Sequence, residues 1–363
     1  MNLIVAVRAE GNSVIGIVGP ALRALTGPVD VSYPANALLA VTQDLFLLCW
    51  CLALVNLARS ATVLRVILAA WIYGAAVAAA LLVIGVVFGI TALSGARPDN
   101  GVRAQGHFGD PNMAANYFAL SIFVLWSSAN PRRTWLRVCL LALFMAAMVF
   151  TGSNGAFLNL GIGIAFVLLV EIRRRFGLMA VVMAASLTLV IGAGTTQLVN
   201  VADVQRAARD SGIPILHDWI GRSDSSASQR VVILQEAWNL FQQSGPLGAG
   251  PNSTKALLQD SLAPYPHQAH DDYVAAVVER GVLGGIGLIV LIGAIAFRAS
   301  QALGGRLRPD FAAVVPRREP LIGALLGLAV AAAYYEVLHF RHLWALLAVI
   351  AILQLWGRER AKT

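Results

Sequence analysis

Nine apolar runs, each long enough to form a membrane-spanning helix, divide this sequence of 363 residues. An α-helix rises about 1.5 Å per residue, so about 20 residues cross the roughly 30 Å hydrocarbon layer of a bilayer. Charged residues make up only 13% of the chain, about half their usual share in soluble domains. The sequence therefore predicts an all-α, polytopic membrane protein with about nine transmembrane helices. The predicted spans are 36–58, 63–91, 112–129, 135–151, 154–171, 177–197, 272–297, 321–338 and 340–356.

The arginine residues lie in short clusters in alternate loops between these runs. Such clusters mark the loops that stay on the cytoplasmic side, and they account for the net charge of +8 without nucleic acid as a partner. They predict a multi-pass protein of the cytoplasmic (inner) membrane, with its C-terminus inside and segments 92–111 and 198–271 outside. The predicted cytoplasmic clusters include Arg132 and Arg133, Arg173 to Arg175, Arg317 and Arg318, and Arg358 with Arg360 and Lys362.

These assignments divide the chain into four segments. Residues 1–35 form an N-terminal extracytoplasmic segment without a convincing span, as a start site placed too late would produce. Residues 36–197 hold six transmembrane helices, and residues 198–271 form an extracytoplasmic loop. Residues 272–363 hold three transmembrane helices and a cytoplasmic tail. Loops as long as 198–271 are uncommon and often carry function.

The long loop contains an amphipathic helix of its own. Ser226-Ala227-Ser228-Gln229 has the pattern of a capping box at a helix start, and Gly245-Pro246 is typical of a helix end. Apolar residues recur between them at helical spacing, including Trp238. We expect this helix to lie along the membrane surface with Trp238 at the interface.

Ionisable residues gather at the end of this loop, where His270 lies directly before the seventh predicted helix. A neutral imidazole can accept a proton from a sugar hydroxyl at neutral pH, and a carboxylate such as Asp272 could fix its tautomer. His270 could instead be a solvated loop histidine. A metal site made of His267, His270, Asp271 and Asp272 is a further alternative, although no spaced third histidine or cysteine accompanies them.

Arg222 and Arg230 flank a serine-rich stretch of the same loop. A guanidinium group stays charged and can bind two phosphate oxygens at once. Arg230 lies in the first turn of the predicted amphipathic helix, where free backbone amides also favour an anion. Both residues could instead meet lipid phosphates or Asp224. Arg103, in the outer segment 92–111, is a further candidate of this kind.

Three other features attract attention. The glycine-rich stretch Gly281–Gly287 enters a predicted span, so it indicates close helix packing rather than a nucleotide loop. Asp44 is a costly polar residue within the first span. The loop that carries His339, Arg341 and His342 is predicted to lie outside, where it could line a site or simply be solvated.

The chain resembles the O-antigen ligase and O-antigen polymerase superfamily of bacterial polysaccharide enzymes over roughly residues 105–290. In such ligases a histidine and a small polar residue are followed by nine residues, a glycine, three residues and a small residue. Two departures are Asp271, where ligases usually have Asn, Ser or Gln, and Asn154, where many members have arginine. The matching stretches are His270-Asp271 with Gly281 and Gly285, Gln229-Arg230 through Trp238 to Gly245-Pro246-Leu247-Gly248-Ala249-Gly250, and Gly109-Asp110-Pro111-Asn112-Met113-Ala114-Ala115-Asn116-Tyr117.

The resemblance implies a membrane glycosyltransferase that needs no metal and no other cofactor. It would transfer glycan from a polyprenyl diphosphate carrier to a hydroxyl of a glycan or glycolipid acceptor, at the outer face of the membrane and among its lipids. His270 would be the catalytic residue, and Arg222 and Arg230 would hold the diphosphate. The supporting residues would be His267, Asp272, Tyr273 and Arg103.

Several rival functions stay open at this point. A polymerase that joins repeat units, or an enzyme that glycosylates protein hydroxyls, would use the same donor chemistry. A solute transporter is a rival from another class, but transporters favour repeated halves and charges at the middle of the bilayer. A scaffold role within a polysaccharide export complex is the fourth alternative.

Overall fold

A computed structural model gives the architecture of the transmembrane core and part of the long loop. The residues that it describes are 33–96, 103–198, 203, 206–207, 210–212, 232, 235–242, 246–248, 250–251, 254, 271–333 and 335–359.

The described residues are helical apart from turns, loops and one isolated bridge between Leu307 and Arg358. A short 3₁₀ helix at Gly106–Phe108 precedes the fourth α-helix. The α-helices are α1 (Tyr33–Leu57), α2 (Ala61–Val87), α3 (Thr91–Ser94), α4 (Pro111–Ser127), α5 (Thr134–Thr151), α6 (Asn154–Leu198), α7 (Asp272–Gly304), α8 (Pro309–Ala312), α9 (Glu319–Ala331) and α10 (Arg341–Leu355).

Five helices of the described part are long and apolar enough to cross a membrane, fewer than the nine predicted spans. Two further apolar helices, α9 and α10, are shorter. The predicted spans 154–171 and 177–197 lie within α6, which is interrupted at Gly177 with φ of 81°. The predicted span 321–338 is too long, because α9 ends at Ala331 and the chain then turns before α10.

Local sequence signals explain several of the helix ends. Asp110 caps α4 by accepting hydrogen bonds from the backbone amides of Asn112 and Met113, at 2.7 and 2.8 Å. Gly152 ends α5 with φ of 60°, and α6 begins two residues later. The chain therefore turns between the predicted spans 135–151 and 154–171, where the sequence indicates a boundary.

The core is centred on α4, whose side chains are mostly buried between α2, α5, α6 and α9. Small residues let α6 and α9 approach closely, since a Cβ on Gly323 would lie 2.6 Å from the carbonyl oxygen of Gly163. Inside this core, the Asn159 side chain donates a 2.8 Å hydrogen bond to the Asn116 side chain. This hydrogen bond gives the Asn159 Nδ2 and the Asn116 Oδ1 a partner in a dry interior, where an unpaired polar atom is costly.

Helix α7 is broken at Gly281, whose φ of 62° and ψ of −157° are not helical. The break separates a short first segment, residues 272–280, from a second segment, residues 282–304. The two segments bend back on each other, because a Cβ on Gly284 would lie 2.1 Å from the carbonyl oxygen of Ala276. The predicted span 272–297 therefore lies within α7, which is interrupted at Gly281.

Candidate active site

A segment of the long loop closes the break in α7. The amide of Val282 donates to the carbonyl of Pro246 at 2.9 Å, and the amide of Gly250 donates to the carbonyl of Glu279 at 2.7 Å. The Thr254 hydroxyl donates to the Glu279 carboxylate at 2.8 Å. Backbone groups that lose their helical partners at a break need such replacements. The loop segment 246–254 therefore supplies hydrogen-bond partners to polar groups at the break near Gly281.

Two glycines make this close approach possible. A Cβ on Gly281 would lie 2.1 Å from the carbonyl oxygen of Pro246, and a Cβ on Gly248 would lie 2.3 Å from the amide nitrogen of Gly281. Gly248 also has a left-handed φ, at 79°. Glycine is the residue that tolerates both conditions without strain. The sequence predicts that Gly281 packs helices together, whereas in the structure it packs a helix break against a loop.

The helical stretch 235–242 packs against the first segment of α7. Ala237 and Val278 are fully buried, with Leu240 and Phe241 on one side and Val274 and Ala275 on the other. Trp238 is half exposed and lies against Phe241, with ring centroids 5.5 Å apart. The predicted amphipathic helix thus buries its small apolar face on protein and leaves Trp238 outward.

The break also brings Arg280 to the first helix. Its guanidinium lies 2.5 Å from the carboxylate of Asp44, and both side chains are partly exposed. This ion pair accounts for the polar residue noted within the first span, because a charge is far less costly there with a partner.

The first residues of α7 are held by two aspartates with different tasks. Asp271 is the N-cap, and its Oδ1 accepts hydrogen bonds from the amides of Tyr273 and Val274 at 2.8 and 3.1 Å. Burial raises the pKa of Asp271, while these backbone hydrogen bonds act against the rise. Asp272 reaches across to the α9–α10 connection, where its Oδ2 accepts from the amides of Val337 and Leu338 at 2.6 and 3.1 Å.

Further hydrogen bonds tie the same residues to α9. The Asp272 amide donates to the Ala332 carbonyl at 2.8 Å, and the Tyr273 hydroxyl donates to the Ala329 carbonyl. Two hydrogen bonds, one from the backbone and one from a side chain, therefore anchor the start of α7 to the end of α9. Asp272 is buried, and at least one of its carboxylate oxygens serves the backbone.

Arg103 belongs to a second cluster, at the turn between α5 and α6. Its Nε donates to the Thr151 carbonyl and its Nη2 to the Asn112 side chain, each at 2.9 Å. The Ser153 hydroxyl donates to the same Asn112 oxygen at 2.9 Å. These contacts bind the segment before α4 to the α5–α6 turn.

The two clusters meet the same connection between α9 and α10. The amide of Gly155, in the first turn of α6, donates to the Tyr335 hydroxyl at 3.1 Å. Val337 lies two residues after Tyr335, and its amide donates to the Asp272 carboxylate. The connection 332–340 is thus a common support for the start of α7 and for the turn near Arg103.

His339 and Arg341, at the end of this connection, line a cavity of about 790 Å³ together with His342 and His107. The sequence indicates His339, Arg341 and His342 as residues that could line a site, but it does not indicate His107 or the helices around the cavity. The sequence signal that could have indicated His107 is its position between a predicted outer loop and a membrane helix. Burial lowers the pKa of His339 to about 4, so its imidazole is neutral near pH 7.

The predicted site residues are described only in part. Asp272 and Tyr273 lie in the cluster at the start of α7, and Arg103 lies in the cluster at the α5–α6 turn. His270, His267, Arg222 and Arg230 lie outside the described residues, so the two histidines of the alternative metal site are not described. Their roles stay predictions.

A family model described as O-antigen ligase matches residues 138–289. This range starts within α5, includes the long loop, and ends beyond the break in α7. It therefore contains both partners of the contact between Gly248 and Gly281. No curated protein sequence matches the chain. With its series of apolar helices, the chain is a multi-pass membrane protein that is similar to the O-antigen ligase family over residues 138–289.

Proposed function

We propose that this protein is an O-antigen ligase-like glycosyltransferase of the cytoplasmic membrane. It takes glycan from a polyprenyl diphosphate carrier at the outer face and transfers it to an acceptor hydroxyl. His270 is the catalytic base, and Arg222 and Arg230 bind the carrier diphosphate. The observation that carries this proposal is the family match together with the way the matched loop is fastened to α7.

The anchoring of α7 supports a role for His270. His270 directly precedes Asp271 in the sequence, and Asp271 and Asp272 together make four hydrogen bonds to backbone amides through their carboxylates. A catalytic group works best when the structure beside it is rigid, because small misplacements are costly in rate. The start of α7 offers such a rigid neighbour.

The reaction needs one base and positive charge. The acceptor oxygen attacks the anomeric carbon, the bond from that carbon to the diphosphate oxygen breaks, and the hydroxyl proton passes to His270. Polyprenyl diphosphate leaves with the bonding electron pair, and Arg222 and Arg230 stabilise its growing charge. A single direct displacement inverts the anomeric centre. Diphosphate is a good leaving group, so the proposed route uses no metal.

The test is an assay of purified protein in nanodiscs with a polyprenyl diphosphate glycan and an acceptor glycolipid. We expect the wild type to release free polyprenyl diphosphate, and His270→Ala to lose at least about 100-fold in rate. His217→Ala is the matched control, since His217 belongs to the same loop and has no assigned role. A His270→Ala variant with wild-type rate would refute the assigned base.

Substitution of Arg230 separates binding from chemistry. Arg230→Ala should raise the Michaelis constant for the donor, and an unchanged constant would contradict the diphosphate role.

The products separate the two enzyme classes, because a ligase moves a finished chain to a different acceptor and a polymerase lengthens lipid-linked chains. Movement of solute across the membrane without diphosphate release would favour a transporter.

A further inference from the structure

The cavity of about 790 Å³ lies between α1, α2, α4 and α10, beside the connection that anchors α7. Its size is within the range of ordinary small-molecule sites. Its wall follows α2 from Ile67 to Ala78, a helical length of about 17 Å at 1.5 Å per residue. The cavity is therefore long, and not merely a gap between two side chains.

Polar and apolar residues are segregated along this cavity. Trp50 and Leu54 of α1 and Ile67 and Trp71 of α2 give an apolar wall within the helices. At the other end, His107 and His339 lie shortly before α4 and α10 begin, and Arg341 is the first residue of α10. A ligand that matches this pattern has a long apolar chain and a polar, anionic end, because the guanidinium of Arg341 stays charged.

A buried imidazole gives a second, independent indication of a ligand. His342 lines the cavity and is only 7% exposed, and its Nε2 has no hydrogen-bond partner among the described residues. Buried nitrogen atoms in proteins nearly always have a partner. The free nitrogen of His342 is satisfied if the polar end of a ligand occupies this part of the cavity.

The polar end lies close in the chain to the proposed reaction centre. The amide of Leu338 donates to the Asp272 carboxylate, and His339 is the next residue. Asp272 in turn lies two residues after His270. A ligand whose anionic end reaches His339 and Arg341 therefore lies beside the connection 332–340, which holds the start of α7 next to His270.

We propose that this cavity binds the phosphate-proximal part of the polyprenyl chain of the lipid carrier, with the phosphate end of the carrier towards Arg341 and His342. The inference rests on the proposed function, which requires a carrier of this chemistry. The aromatic side chains of Trp50, Trp71 and Phe108 line the cavity and suit the planar double bonds of an isoprenoid chain. A bilayer phospholipid shares the phosphate and the apolar character, so it is the alternative occupant that the test must exclude.

The test measures binding to the purified full chain by native mass spectrometry, with undecaprenyl phosphate, undecaprenol and phosphatidylglycerol as separate probes. We expect Ala78→Trp, which fills the cavity, to weaken undecaprenyl phosphate binding at least tenfold. Val77→Trp is the matched control, because Val77 is the adjacent residue of α2 and is 60% exposed; its binding should stay within twofold of wild type. Equal losses in both variants, or tighter binding of phosphatidylglycerol by the wild type, would overturn the proposal.

A second variant tests the polar end even if Ala78→Trp does not fold. Arg341→Gln should remove most of the preference for undecaprenyl phosphate over undecaprenol, and a preference that is retained would contradict the orientation.

In the transferase assay, Ala78→Trp should raise the Michaelis constant for the donor with little change in kcat. If the wild type binds the probe in this cavity but transfers no glycan, the proposed function fails and the cavity site stands. If it transfers glycan and Ala78→Trp changes neither binding nor the Michaelis constant, the cavity site fails and the function stands.

Discussion

Gly248 and Gly281 approach so closely that a Cβ added to Gly248 would lie 2.3 Å from the Gly281 amide nitrogen. One glycine lies in the long loop and the other at the break in α7, and both have left-handed φ angles, of 79° and 62°. The contact has no room for a side chain on either side. Because of this contact, the position of the long loop and the conformation of the break in α7 depend on each other.

Gly281→Ala should therefore damage both elements at once. A side chain at a left-handed φ costs about 1–3 kcal/mol, and the added methyl group would also overlap the Pro246 carbonyl. We expect a lower unfolding temperature in detergent and a loss of transferase activity. Gly287→Ala is the matched control, because Gly287 is helical and a Cβ there meets nothing within 4 Å. Equal behaviour of the two variants would show that the contact is unimportant.

The Asp272 carboxylate should contribute to stability through two backbone amides. Asp272→Ala leaves the amides of Val337 and Leu338 without their acceptor, and each unsatisfied buried donor costs about 1–3 kcal/mol. Asp272→Asn keeps an oxygen acceptor and should retain much of the stability. We expect faster hydrogen exchange of residues 335–340 in the alanine variant than in the asparagine variant.

The control for this prediction is Asp310→Ala. Asp310 forms a partly exposed ion pair with Arg308 at 2.9 Å, and pairs of this kind contribute at most about 1 kcal/mol. If Asp272→Ala lowers the unfolding temperature no more than Asp310→Ala does, the buried contact with the α9–α10 connection is not a stabilising one.

Much of the fold could be predicted because the signals are local. An apolar run predicts a helix, and the turn Thr151-Gly152-Ser153 ends one where the sequence indicates it. The cap by Asp110 before Pro111 is also a local pattern. For these elements, neighbouring residues carry the information.

The break in α7 could not be predicted in this way. A glycine in an apolar run is compatible with close helix packing as well as with a break, and the residues that decide between them, from Pro246 to Gly250, lie more than 30 positions earlier. The partners of Asp272 are more than 60 positions later. Sequence reasoning identified Asp272 from its nearness to His270, but it could not identify the backbone amides that its carboxylate accepts.

Arg103 should act by holding the structure rather than by binding donor. Its guanidinium donates in two directions, to Thr151 and to Asn112, which the single ammonium of lysine reproduces poorly. Arg103→Lys and Arg103→Ala should both lower the unfolding temperature while the folded protein keeps its Michaelis constant for the donor. Arg132→Ala, an exposed arginine, is the control. A raised Michaelis constant with normal stability would instead support the phosphate role predicted from sequence.

His339 should make stability depend on pH in a defined direction. Burial lowers the pKa of His339 to about 4, below the value of about 6.5 expected in the unfolded chain. Between these values the unfolded state binds more protons, so the contribution of His339 is complete above pH 6.5 and is lost as the pH falls towards 4. His339→Gln cannot take up this proton. We therefore expect the unfolding temperature of the wild type to fall relative to His339→Gln between pH 6.5 and 4, and to keep a constant offset above pH 7. The raised pKa of Asp271 acts in the opposite direction, but it is common to both proteins and cancels in the difference. An offset that does not change from pH 7 to 4 would mean that His339 is as accessible to protons in the folded protein as in the unfolded chain.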